Sequence, residues 1–122
     1  MPTMPTAAYG GQITPDEGPR VICVDEGGSV SPLDPRVDLR NHSPSGFAWG
    51  YNGSGPAQLA LAVLADCLQD DGRASRLYQP FKEDVIAHLD QDAGWTMTRE
   101  AVREAVAKLE AQDADADQAN TR

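Results

Sequence analysis

The stretch from Pro56 to Gln69 is apolar almost all the way round, and it constrains this chain more than any other segment. A helix without a polar face cannot lie on a surface, so the rest of the chain has to be laid around it. It follows a glycine-rich turn, Gly50-Tyr-Asn-Gly53-Ser-Gly55, which itself follows the aromatic run Phe47-Ala-Trp-Gly-Tyr51. Pro56 suits the first helical position, where its missing N–H would have been unpaired anyway. Gly55 or Ser54 is the expected N-cap, and with Gly55 in that role Gln58 stands where the second half of a capping box belongs. At 3.6 residues per turn, Leu59 and Val63 share one side and Leu61, Leu64 and Leu68 the other. Between them runs a thin strip of Gln58, Ala62, Ala65 and Asp66, where another backbone can approach closely.

The flanking segments supply that cover. Val21-Ile-Cys-Val24, then Asp25-Glu-Gly-Gly28, then Ser29-Val-Ser31 predicts a hairpin with a glycine-bearing loop. Val37 and Leu39 alternate with charged residues as in a short half-exposed strand, and in an extended chain Phe47, Trp49 and Tyr51 would all point to one side. Asp70-Asp-Gly72 is the expected end of the first helix, with Gly72 at the C′ site. A second helix is expected over 73–89, kinked at Pro80 or split there into two short coaxial pieces, with Ala74, Leu77, Tyr78, Phe81, Val85 and Leu89 on one face. Trp95-Thr-Met97 reads as a brief extended run, and Thr98 as the N-cap of a third helix over 98–111 that buries Val102, Ala105, Val106 and Leu109.

The fold class is α+β: a small antiparallel hairpin or sheet followed by three helices, the first of them central and buried. A chain of 122 residues has room for one modest core. Residues 1–19, with Pro2, Pro5, Pro15 and Pro19 and no periodicity, are expected to form a flexible arm, which Tyr9 could tack down as a short edge strand. Residues 20–111 make the single domain, and 112–122, rich in Ala, Asp and Gln, a disordered acidic tail.

Charge limits the partners. The formal net charge is −9, from 19 acidic and 10 basic residues, and the arginines are scattered, so free nucleic acid would be repelled. No apolar run approaches the ~20 residues that cross a bilayer, and the N-terminus lacks a basic start and apolar stretch, so neither a membrane nor a secretory signal is expected. The location expected is cytoplasmic. Cys23 and Cys67 stand alone and are expected to be reduced thiols, with no metal and no cofactor.

The chemistry-bearing residues form no complete set. Backbone amides of Gly53, Ser54 and Gly55 at a helix N-terminus could hold an anion, with Trp49 or Tyr51 stacking on a ligand and Gln58 at the mouth. The turn has neither the lysine of a P-loop nor the spacing of a dinucleotide fingerprint. Ser54 lies between glycines, but a nucleophile elbow needs glycine at the positions held by Asn52 and Pro56. His42 and His88 are the candidate bases; His42 could reach Ser54 or Tyr51, and nothing in the sequence requires it. The chain is therefore expected not to be an enzyme.

Asn41-His-Ser-Pro-x-Gly-Phe-x-Trp-Gly-Tyr-x-Gly-Ser-Gly-Pro-Ala-Gln-Leu-Ala, with Tyr78-Gln-x-Phe-Lys82 and Trp95-x-Met-Thr98 downstream, resembles a family of small uncharacterised domains of unknown function. The resemblance runs from about Val21 to Leu109, with Pro80 and Asn52 as its chief departures. It implies a source among bacteria, archaea and their viruses and plasmids, which makes a mobile element one origin, and it brings no reaction, cofactor or catalytic residue. The expected function is a small non-enzymatic accessory or protein-interaction module that binds another protein; the alternative is a small-ligand, nucleotide or anion binder using the glycine turn. Partner identity and oligomeric state are open at this point.

Overall fold

The computed structural model describes residues 5–42 and 46–120, with side chains as far as Gln112. Four strands, β1 (Thr6–Thr14), β2 (Gly18–Asp25), β3 (Val30–Pro32) and β4 (Trp95–Thr98), form one antiparallel sheet in the order β3-β2-β1-β4. Three helices, α1 (Ser54–Leu68), α2 (Asp71–Asp84) and α3 (Arg99–Asn120), complete an α+β fold, with a 3-10 turn at Ile86–His88.

α1 is the centre, as its sequence requires. Leu59, Leu61, Val63 and Leu64 are all at 0% exposure, and burying each is worth about 1.5–3 kcal/mol. The two polar residues of its thin strip tie other segments to it: Gln58 at one end engages the loop at Pro35 and His42, and Asp66 at the other accepts the Tyr9 hydroxyl. α2 packs on α1 through Ala74, Leu77, Tyr78 and Phe81. α3 contributes Val102, Val106 and Leu109 to the same core, and Arg73–Glu110 ties it to α2 at 2.8 Å. The Thr98 hydroxyl caps α3 by accepting from the Ala101 N–H at 3.1 Å.

The structure corrects the sequence reading in several places. The stretch expected to be a loose arm holds β1, which is an inner strand with Tyr9 at 0% exposure, paired with β2 on one side and β4 on the other. Small residues hide it from periodicity, and the sheet supplies the burial its own side chains cannot. Val37 and Leu39 lie in a turn, because Arg36 adopts a left-handed φ of 53° and its guanidinium clamps Asp38 and Asp71 at 3.0 and 2.9 Å. The run Phe47 to Tyr51 is not a strand either.

α1 is capped by Gly53 rather than by Ser54 or Gly55, and it ends at Gln69 in a left-handed conformation (φ 52°). Gly72 instead lies in α2, whose start Asp70 caps by accepting from the Arg73 N–H at 3.1 Å. α2 continues through Pro80 to Asp84, short of the expected 89. The backbone from 112 to Asn120, expected as a disordered tail, continues α3, as alanine-rich sequence favours.

The strands have two distinct faces, because paired residues in an antiparallel ladder share a face and neighbours along a strand alternate. Tyr9, Gly11, Val21, Cys23, Trp95 and Met97 turn toward the helices. Ala8, Gly10, Ile22, Val24, Val30, Pro32, Thr96 and Thr98 turn away from them. Among the described residues no element covers that outer face, and Val30 on it remains 60% exposed.

Candidate functional site

The glycine turn ahead of α1 is built as a clamp. Trp49 is 1% exposed; its indole N–H donates to the Ala93 carbonyl at 3.0 Å, and its ring meets Trp95 edge-on, with centroids 5.7 Å apart. Gly50 then reverses the chain at φ 85°, and a Cβ there would stand 2.5 Å from the Gln91 Cα, so no other residue fits without displacing that loop. Its N–H donates to the Ile86 carbonyl at 3.0 Å. This reversal sends the two flanking rings apart: Trp49 goes to the core and Tyr51 to the surface, at 43% exposure.

The proposed ligand residues are thereby divided. Trp49, Gly55 and Gln58 are buried, Gly53 is half-buried, and Tyr51 and Ser54 are exposed. Gly55 is packed so tightly under Ala48 that an added Cβ would come within 2.7 Å of the Ala48 Cβ. Gln58 does not fold back as a capping box; it accepts from the His42 backbone N–H at 2.7 Å and donates to the Pro35 carbonyl at 2.5 Å. A buried amide in that position pins the loop between β3 and the turn onto α1. The His42 imidazole meets the Tyr78 hydroxyl at 2.8 Å, neither Ser54 nor Tyr51. Burial, and then the charges of Arg40 and Lys82, hold that imidazole below the usual histidine range.

A second cluster joins sheet and helices. The Tyr9 hydroxyl donates to Asp66 Oδ2 at 2.6 Å, and burial followed by that hydrogen bond pushes its ionisation far above the ordinary phenol range. Burial, and then the Asp66 charge, raises the Cys23 thiol to about 11, and burial raises Cys67 as well. Both thiols are free and buried, a setting that makes them poor nucleophiles. Among the described residues no group of three or more His, Cys, Asp or Glu side chains is placed to hold a metal ion.

Among the described residues two hollows adjoin the sheet, and the sequence reading identified neither. One is the outer sheet face, where Ala8 and Gly10 form the floor of a shallow hollow of about 540 Å³ bordered by Gln12, Ile22, Val24 and Thr96. The other is a cavity of about 460 Å³ beside the β3 edge, lined by Asp25, Ser31, Pro32, Asp34, Asp66 and Gln69 among others. Their lining residues are far apart in sequence, and the floor residues are small, so only strand pairing reveals them. Among the described residues no helix is long and apolar enough to cross a membrane.

A family model described as a family of unknown function (DUF6166) matches residues 9–108. That span starts at Tyr9, inside β1, and so takes in the strand that the sequence reading left out. Neither the curated proteins nor the solved structures contain a match to the chain.

Proposed function

We propose that this chain, which belongs to the DUF6166 family of unknown function, is a small non-enzymatic module that works by binding another protein through the outer face of its sheet. The observation that carries this is the uncovered face itself. Val30 and Pro32, exposed, and Ile22, Val24 and Ala8, half-buried, lie side by side across three strands, outside the core that the helices form with the other face. Sheets that bury one face and leave the other to water normally alternate apolar with polar residues; here aliphatic residues occupy both faces of β2. A contiguous apolar surface of this kind marks an interaction site. The rest of the domain is consistent with a scaffold: the glycine turn is closed by Ala48 and the Gln91 loop, and the buried Gln58 amide and Trp49 indole bond inward.

A photocrosslinking residue placed at Val30, and in a control at the exposed Lys108 of α3, tests the reading in cells that express the protein. One discrete crosslinked protein at position 30, lost when Ile22 is replaced by threonine, is the expected result. No crosslink at position 30, or equal crosslinking at both positions, would refute it.

A further inference from the structure

The outer face does not by itself say what covers it, but the charges beside it do. β3 is the sheet edge next to the acidic cavity: Val30 and Pro32 face outward with Ile22 and Val24, while Ser31 faces the cavity and Pro32 lies on its rim. Three carboxylates converge there from separate elements, Asp25 from β2, Asp34 from the loop after β3 and Asp66 from α1.

Each is held in place by internal donors. Asp25 Oδ1 accepts from the Gly27 and Ser29 N–H groups, both at 2.9 Å, Asp34 Oδ1 from the Arg36 N–H at 2.9 Å, and Asp66 Oδ2 from Tyr9. None of the three is in an ion pair among the described residues, whereas Asp38, Asp71, Glu17, Glu26 and Glu110 all are. On the outer face Ala8, Gly10, Ile22, Val24, Val30 and Pro32 carry no charge, and Arg20, next to Ile22 along β2 on that face, is paired with Glu17. An aliphatic surface with fixed, unneutralised carboxylates just across the β3 edge, on the helix side of the sheet, on a chain of net charge −9, disfavours a second copy of itself and any nucleic acid by like-charge repulsion.

We infer that the occupant of the β3 edge is a basic protein segment, with aliphatic side chains resting on Val30, Ile22 and Val24 and a lysine or arginine reaching the carboxylates of Asp25, Asp34 and Asp66. Pro32 has no N–H to offer an added strand, so recognition is by side chains. The inference rests on the interaction reading above and adds the chemistry of the partner.

Two synthetic peptides of equal length test it, leucines alternating with lysine in one and with glutamate in the other, followed by fluorescence anisotropy against the full chain. The lysine peptide should bind. Its affinity should fall about fivefold or more when Asp25, Asp34 and Asp66 are all changed to asparagine, the sum expected of three exposed ion pairs. Asparagine keeps the internal acceptors, and Asp34→Asn alone serves if the triple variant does not fold. A matched charge change on the helices, Glu83→Gln with Asp84→Asn and Glu104→Gln, should leave binding unaltered. Equal losses in the two charge variants, or equal binding of the glutamate peptide, would overturn the inference. A discrete crosslink at position 30 to an acidic partner would overturn it too, while leaving the interaction reading intact.

Discussion

Gly10 and Gly11 are neighbours on β1 and serve opposite faces of the sheet. At Gly11 an added Cβ would sit 2.1 Å from the Trp95 indole nitrogen, which lies directly over the glycine. At Gly10 the nearest atom to an added Cβ is Ile22 Cγ1 at 3.6 Å, an ordinary contact on an open surface. One residue is glycine because the interior has no space for more. The other position has space, and its lack of a side chain deepens the hollow between Ile22 and Thr96. The same alternation separates Tyr9 from Ala8 and Cys23 from Val24, so one face of the sheet is packed into the core and the other is left open.

The comparison breaks most directly at Gly11. Gly11→Ala must drive the Trp95 ring off its seat against Trp49, and we expect a loss of about 2–3 kcal/mol in urea unfolding, the cost of overpacking a closed site. Next is Tyr9→Phe, which deletes a hydrogen bond to a carboxylate and should cost about 1.5 kcal/mol, the low end for such bonds because half-buried Asp66 can turn to water.

Tyr9 and Cys23 also give the inner face a pH signature. Both hold their protons more tightly folded than unfolded, so their contribution is complete below the unfolded values and is lost as pH rises past them. Cys23 moves from 9.0 to about 11, so wild-type stability should fall between pH 9 and 11 by roughly 2–3 kcal/mol from this thiol alone. Unfolding of Cys23→Ala across that range should show a shallower decline. An equal decline would remove Cys23 from the account.

On the outer face the expected effects on stability are small. Ile22→Thr combined with Val24→Thr keeps β-branched residues on the strands and should cost under about 1 kcal/mol, while abolishing the crosslink from position 30. Gly10→Ala should lie within about 0.5 kcal/mol of wild type; a loss as large as that of Gly11→Ala would show that the two faces are not distinct.

How much of this was legible from the residues alone follows from side-chain size. α1, α2 and α3 carry leucines, valines and rings at helical spacing, and most of their expected buried residues, from Leu59 and Leu64 to Phe81 and Val106, are in the core, while Leu68, Ala105, and Val85 and Leu89 beyond the end of α2, are only partly buried. The β2–β3 hairpin announced itself through β-branched residues around Gly27 and Gly28. β1 did not, because Thr6-Ala-Ala-Tyr-Gly-Gly has one large side chain and its place in the sheet is earned by pairing with β2 and β4. The aromatic run misled for a different reason: alternation assumes an extended chain, and the positive φ of Gly50 cancels it between Trp49 and Tyr51. The ligand residues proposed around that turn looked like a site because glycines cluster there, and close packing accounts for the same glycines, Gln91 against Gly50, the Tyr51 ring against Gly53 and Ala48 against Gly55.

The sequence by itself determined that an all-apolar helix must be enclosed, that a glycine turn leads into it, and that two more amphipathic helices help to close the core. Local periodicity carries that information, since each face is written at a fixed spacing along the chain. Only the tertiary structure decided that β1 runs through the inside of the sheet, that Gln58 and Asp66 hold a loop and a strand on α1, and that aliphatic residues from three strands meet on an uncovered face beside Asp25, Asp34 and Asp66. Those are juxtapositions of residues distant in sequence, fixed by strand register and helix packing, which no single segment encodes.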